Sequence, residues 1–223
     1  MPQATLKLSQ SYRTPLIASL RTSNPSSSDE WTKRFSLCAQ RILSAVVFRE
    51  TAFGSFKKTG SAVLPPIGFY YSLFHMGVAM LCVDYATPLT QLKQMKHARL
   101  QGLLKSKLVQ RSLLKARYVK TLEKAQELRE HINYVFGGKR IKDPYFIKQA
   151  IPVWHEKIGI QFQAALMFIK AVQEEYIATH GWTVPTIAGS IGDDIGDDAF
   201  AMYLSATEKK RVVRYLIKND LTT

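Results

Sequence analysis

The chain has 223 residues, 46% of them hydrophobic, so it can bury a core and is not globally disordered. Its 31 lysines and arginines outnumber its 17 aspartates and glutamates, for a formal charge of +14. A field of this sign attracts polyanions, so nucleic acid is the expected ligand, ahead of anionic lipid and acidic protein. A basic surface that only keeps the protein soluble is the competing interpretation.

The first 28 residues contain three basic side chains, many serines and threonines, and no acid. They lack the apolar segment of a secretory signal, so we interpret residues 1–30 as an extended arm that packs on its own domain or on a neighbour. Cys38 and Cys82 stand alone in apolar segments, which is typical of small buried side chains in a reducing compartment. We therefore expect a cytoplasmic protein.

Apolar side chains recur with helical periodicity along most of the chain, and no convincing strand alternation is present. The pattern predicts helices over residues 31–48 and 67–85, joined by a connection rich in glycine and proline at 54–66. A basic helical stretch covers residues 89–135. Its apolar register slips at 110–112, which predicts two helices or one broken helix.

The segment FGGKR (136–140) reads as a helix stop, because glycine adopts the left-handed conformation of a C-cap. Beyond it the pattern predicts a long amphipathic helix over 153–179, an acidic loop at 189–200 and a basic helix over 206–220. The predicted fold class is therefore all-α. We divide the chain into an N-terminal arm (1–30), a helical bundle (31–138) and a C-terminal helical extension (139–223).

Motifs that hold nucleotides or catalytic zinc are missing: there is no GxxxxGK[ST], no GxGxxG that opens a helix, and no HExxH. We therefore predict no cofactor. The single carboxylate cluster, DDIGDD, has oxygens suited to a hard divalent cation but lacks the alternating ligands of an EF-hand. A solvated loop that caps the next helix is the simpler interpretation. The weak metal candidates are Asp193, Asp194, Asp197 and Asp198.

The densest basic stretch places ten lysines and arginines between residues 93 and 124, with Glu123 as the only acid. Because so few acids accompany them, we expect most of these side chains to be free of ion pairs and available to phosphates. A solvated helix face is the competing interpretation. The predicted nucleic-acid contacts are Lys105, Lys107, Arg111, Lys115, Arg117, Lys120 and Lys124.

The most apolar stretch, GFYYSLFHMGVAML (68–81), carries a histidine at its centre. On a helical projection His75 shares a face with Tyr71, so we interpret both as polar groups in the core or at the floor of a cleft. The apolar run 67–83 is at the lower edge of membrane-spanning length, and a buried core helix fits it better. We therefore expect no membrane partner.

This stretch resembles the second core helix of HEPN domains, which commonly reads aromatic-Tyr-x-x-Phe-His followed by small and apolar residues. The preceding helix, the basic region after it and LEKAQELREHINYVFGG (122–138) are similar in order and spacing to that bundle. The resemblance covers about residues 32–138 and implies a HEPN-like helical bundle with an additional C-terminal helical region. It also implies a role in prokaryotic RNA metabolism, such as toxin–antitoxin pairs, antiviral defence or CRISPR effectors.

Many HEPN proteins are metal-independent endoribonucleases with an Arg-x(4–6)-His motif on the last core helix, usually paired across a dimer. Histidine moves the proton, and arginine stabilises the charge on the phosphorus centre. No histidine here has an arginine five to seven positions before it, and the closest remnant is Arg129 with His131. Since two helical positions are about 200° apart, this catalytic pair can act only in a composite site across two subunits.

Three interpretations remain open at this point. The first is an RNA-binding HEPN-like protein of a prokaryotic defence or toxin–antitoxin system, with divergent nuclease activity as an option. The second is a non-catalytic structural subunit that docks on a protein partner within a larger nucleoprotein complex. A homodimer is compatible with both. The third, a membrane-active toxin built on residues 67–83, is the least favoured.

Overall fold

The computed structural model describes residues 6–21, 28–92, 95–136, 144–181, 187–196 and 204–221. All regular structure within these ranges is helical, which confirms the all-α prediction. A 3-10 turn, Leu89–Gln91, precedes the helix His97–Leu103, and a π-helical segment, Leu104–Val109, continues that helix. The helices are α1 (Gln10–Arg21), α2 (Ser28–Thr59), α3 (Leu64–Cys82), α4 (His97–Leu103), α5 (Ala116–Phe136), α6 (Pro144–His180), α7 (Ile187–Gly196) and α8 (Ala206–Lys218).

Helix α3 is the centre of the fold and packs on α2, α5 and α6. Fifteen of its 19 residues are buried, as expected of a helix that is apolar on all sides. Pro65 and Pro66 occupy its first turn, where their missing N–H groups cost no helical hydrogen bond. Within the described ranges, no helix combines the length and apolarity that crossing a membrane requires.

The first helix of the predicted bundle is longer than expected. Helix α2 continues through residues 49–59, so the first half of the predicted connection is helical. The apolar side chains of Phe53 and Phe56 pack against the core and extend the helix past Gly54. Gly54 and the lysines after it are typical of a loop. In the structure Gly54 lies against Arg211 of α8, a contact with a distant part of the chain that the local sequence does not indicate.

The N-terminal segment is not an extended arm, and that prediction is wrong for residues 10–21, which form α1. Tyr12, Leu16 and Leu20 are spaced four residues apart and are buried. Pro15 lies inside this helix. Because proline usually interrupts a helix, the sequence around it does not favour a helix despite the apolar stripe. The arm therefore contributes one wall of the core.

The break in the basic stretch is confirmed. Ser112 has φ 58, a left-handed conformation that ends one helical segment before α5 begins. The predicted amphipathic helix over 153–179 is also confirmed, since α6 buries an inward stripe that includes Ile158, Phe162 and Val172. Buried residues from all three predicted segments, such as Leu16, Leu73 and Val172, belong to a single hydrophobic core.

Candidate functional site

Helices α3, α4 and α5 bring together a tyrosine, a histidine and an arginine that are far apart in the sequence. The Tyr70 hydroxyl is hydrogen-bonded to Nδ1 of His97, at the start of α4. The guanidinium carbon of Arg129 on α5 lies 4.4 Å from the centre of the Tyr70 ring. Tyr70 is buried, whereas His97 and Arg129 are half-buried. We call these three residues the His97 cluster.

The electrostatics of the His97 cluster fix its protonation. Burial raises the pKa of Tyr70 to about 12, with Arg129 acting in the opposite direction. Burial and then Arg129 lower the pKa of His97, so the ring is neutral at pH 7. We therefore assign the phenol O–H as donor to Nδ1, which leaves the imidazole proton on Nε2. The cluster offers an anion one fixed cation and one imidazole N–H.

Arg129 keeps part of its hydrogen-bonding capacity unused. One of its terminal nitrogens lies 3.3 Å from Glu130, whose carboxylate also accepts from Gln126 at 2.8 Å. Its buried Nε has no partner among the described residues. Because buried guanidinium N–H groups are nearly always satisfied in folded proteins, this one marks a position where an acceptor can bind.

The predicted cleft residues Tyr71 and His75 border the His97 cluster. Arg41 lies 3.2 Å from His75 Nδ1, and Phe48 stacks on the same imidazole at 5.4 Å with an interplanar angle of 6°. Burial and then Arg41 lower the pKa of His75 to about 4, so this ring is neutral as well. The Tyr71 and His97 rings are 6.1 Å apart. Tyr71 and His75 therefore form an aromatic wall beside the cluster.

Arg129 and His131, the predicted catalytic pair, lie on different sides of α5. Arg129 faces the Tyr70 ring, whereas His131 is exposed. This agrees with the 200° that separates two helical positions. Within one chain, the histidine that the fold places beside Arg129 is His97, a residue of another helix.

The outward side of α5 carries a row of cations. Arg117, Lys120 and Lys124 are exposed at spacings of three and four, and they form no ion pair with any described residue. We call these three residues the α5 basic face. His131 lies two turns further along the same face, beyond the exposed Glu127. Lys115 is exposed just before the helix begins.

Two of the predicted nucleic-acid contacts have acidic partners in the structure. Arg111 binds the fully buried Asp84, with 2.8 Å between Nη1 and Oδ1, and its guanidinium packs on the rings of Tyr12 and Tyr85. Lys105 pairs with Glu123 at 2.7 Å. The Arg111 pair was hidden because Asp84 precedes it by 27 residues and meets it only through the chain reversal after α3. Lys107, also predicted as a contact, is half-buried.

The acidic cluster is only partly described. Asp193 and Asp194 lie within α7, so residues 189–196 of the predicted acidic loop are helical, and Asp197 and Asp198 lie outside the described residues. Across the described part of the chain, no group of three or more histidine, cysteine, aspartate or glutamate side chains is arranged to hold a metal ion.

Sequence reasoning missed Tyr70 and His97 as site residues. Tyr70 is adjacent to the predicted Tyr71, but adjacent helical positions point in different directions. His97 had no signal of its own, because it belongs to no recognisable motif and its sequence neighbours, QMKHARL, show no distinctive pattern. Only the packing of α4 against α3 shows that the two side chains meet.

Comparison of the chain with family models, curated proteins and solved structures finds no match. The HEPN-like assignment therefore depends on the motif in α3 and the order of the helices around it.

Proposed function

We propose that this chain is an RNA-binding, HEPN-like protein of a prokaryotic defence or toxin–antitoxin system. The α5 basic face carries this proposal: three exposed cations without acidic partners lie along about two helical turns. A row of this kind suits consecutive phosphates of a nucleic-acid backbone. The formal charge of +14 supports long-range attraction of a polyanion. The resemblance in α3 supports RNA over DNA.

The His97 cluster supplies a second contact in this proposal. Arg129, whose Nε has no partner among the described residues, and the Nε2–H assigned to His97 donate hydrogen bonds to a phosphate or a base edge. Phe48, 36% exposed beside His75, provides an aromatic surface for an unstacked base. Stacking of this type is typical of proteins that bind single-stranded RNA.

Metal-independent endoribonuclease activity is a second candidate function, favoured by one observation. Arg129 and His97 both contact Tyr70, so an arginine and a neutral histidine lie within one cluster. For His97 to accept a proton at Nδ1, however, the Tyr70 hydroxyl must first release that nitrogen. The resting geometry therefore favours RNA binding over cleavage.

The proposal is tested with purified full-length protein and labelled single-stranded RNA in EDTA, at two salt concentrations, measuring both binding and cleavage. We expect salt-sensitive binding that weakens in the double variant Lys120→Gln/Lys124→Gln. The control variant Lys7→Gln/Lys210→Gln removes the same charge from exposed sites elsewhere and is expected to bind as the parent does. Cleavage lost in His97→Ala but kept in His131→Ala would identify His97 as the catalytic histidine. No binding at low salt would contradict the proposal and favour the partner-docking subunit.

A further inference from the structure

A cavity of about 640 Å³ lies between α2, α6 and α8. None of its lining residues belongs to the His97 cluster or to α5. Its volume lies within the range of sites that enclose small organic ligands. The RNA proposal gives this cavity no role.

The cavity is strongly cationic. Five cations line it against two carboxylates, Glu50 and Glu156. Glu50 is already paired with Arg49, and Glu156 is exposed. The three cations of α8 that line the cavity form no ion pair with a described residue. The five cations are Arg49 and Lys57 of α2 and Arg211, Arg214 and Lys218 of α8.

Buried polar atoms without partners line the same cavity. Arg49 is only 6% exposed, yet its Nε has no hydrogen-bond partner among the described residues. The Tyr215 hydroxyl and Nε2 of His155 are also buried and unpartnered. Nε2 of His155 does lie 3.5 Å from Glu50, which is too far for a well-formed hydrogen bond. Three unsatisfied polar groups at one site indicate that a polar ligand completes them.

At the floor of the cavity, two arginine side chains lie directly against two glycines, Gly54 and Gly159. A Cβ on Gly54 would lie 1.8 Å from Nη1 of Arg211, and a Cβ on Gly159 would lie 3.0 Å from Nη2 of Arg49. Each guanidinium therefore occupies the space that a side chain would take. The missing side chains at Gly54 and Gly159 are what position these two charges.

One wall of the cavity is aromatic. The rings of Phe53 and His155 are stacked at 3.8 Å with an interplanar angle of 10°. Burial lowers the pKa of His155 despite the opposing effect of Glu50, so the ring is neutral at pH 7. On the other side, the guanidinium of Arg49 lies 5.1 Å from the centre of the Tyr215 ring. The wall gives an organic ligand a flat surface beside the cations.

We propose that this cavity binds a small organic phosphate that carries at least two negative charges. Arg49, Tyr215 and His155 hold the phosphate at the floor, while Arg211 and Arg214 of α8 neutralise its charge. The remaining volume beside Phe53 accepts the organic part of the ligand. This function is independent of RNA binding at α5.

The test is calorimetric titration of the full chain with inorganic pyrophosphate at fixed ionic strength. We expect saturable binding that weakens by at least about tenfold in Arg211→Gln/Arg214→Gln, because charge-assisted hydrogen bonds are lost. The matched control Lys209→Gln/Lys210→Gln removes two charges from the same helix outside the cavity and is expected to change affinity by less than about twofold. Gly54→Ala keeps every charge but displaces the Arg211 guanidinium, so it is expected to weaken binding severalfold.

Two results would overturn this proposal. The first is the absence of pyrophosphate binding in the parent chain, or equal weakening in the two α8 double variants. The second is that the parent chain binds 5′-phosphorylated RNA more tightly than 5′-hydroxyl RNA and that Arg211→Gln/Arg214→Gln loses this preference. That result would mean that the cavity binds the 5′ end of an RNA and not a small organic phosphate. The variant Lys120→Gln/Lys124→Gln is expected to retain pyrophosphate affinity, so failure of this proposal is separable from failure of the RNA proposal.

Discussion

The guanidinium of Arg129 lies 4.4 Å from the centre of the Tyr70 ring, and the hydroxyl of that ring holds His97. This contact joins α5 to α3 and, through the hydrogen bond, to α4. A planar guanidinium stacked on a tyrosine is fixed in orientation, which a lysine at the same position would not be. The arginine is therefore a positioned charge and not only a solvated one.

Arg129→Lys tests this positioning. The variant keeps the charge but loses the planar stacking, so we expect weaker RNA binding and a loss of about 0.5–2 kcal/mol in the free energy of unfolding. RNA titration and urea unfolding measure the two effects. Arg21→Lys is the control, since Arg21 is exposed at the end of α1 and belongs neither to the α5 basic face nor to the His97 cluster. Equal behaviour of the two variants would contradict the positioning role.

The contact between α2 and α3 depends on Gly68. A Cβ there would lie 2.4 Å from Cβ of Ala52 and 2.7 Å from the carbonyl oxygen of Phe48. The backbone oxygen cannot move away cheaply, so we expect Gly68→Ala to destabilise the fold by about 1–3 kcal/mol in urea unfolding.

Gly102→Ala is the matched control for that variant. A Cβ at Gly102 meets nothing within 4 Å, so the substitution is expected to stabilise the protein by about 0.5–1 kcal/mol through helix propensity. The two glycine variants should therefore shift the unfolding midpoint in opposite directions. A Gly68→Ala variant that is as stable as the parent, or more stable, would show that the close packing of α2 on α3 does not limit position 68.

Arg111 is expected to stabilise the fold through its ion pair with Asp84. Its partner Asp84 is fully buried and also accepts hydrogen bonds from Thr87 at 2.7 Å and Tyr12 at 3.3 Å. Arg111→Met leaves this carboxylate without its counter-ion, so we expect a loss of about 3–5 kcal/mol in the free energy of unfolding. The double variant with Asp84→Asn should recover part of that loss. If Arg111→Met lowers the free energy of unfolding by less than about 1 kcal/mol, the ion pair with Asp84 is weak and Arg111 is available to contact phosphates.

Stability is expected to fall with pH because of His75. Its pKa is about 4 in the folded protein against 6.5 ordinarily, so the unfolded chain binds the proton more tightly. This contribution is fully present above pH 6.5 and is lost as the pH falls towards 4, by at most about 3 kcal/mol. His97 and His155, whose pKa values are also lowered, act in the same direction.

The check is thermal unfolding of the parent chain and His75→Phe between pH 7 and pH 4. The variant should start less stable, because Arg41 loses its partner, but should lose less stability as the pH falls. His131→Gln removes an exposed imidazole and is the control. A pH dependence that is unchanged in His75→Phe would contradict this assignment.

Local pattern predicted the helices, but not which of them meet. The inward stripe of α6 and the break at Ser112 were readable because helical periodicity and register are local properties. The pairing of His97 with Tyr70 and of Arg111 with Asp84 depends on tertiary packing, which no local spacing encodes. The cationic cavity was missed for the same reason. Its cations belong to α2 and α8, at opposite ends of the sequence.

The most direct test of the central claim is the salt dependence of single-stranded RNA binding for the parent chain and for the triple variant Arg117→Gln/Lys120→Gln/Lys124→Gln. Three phosphate contacts contribute about 2 to the slope of log affinity against log salt for a single strand. We expect the variant to bind more weakly at low salt and its slope to be shallower by about that amount. An unchanged affinity and slope would contradict RNA binding at the α5 basic face.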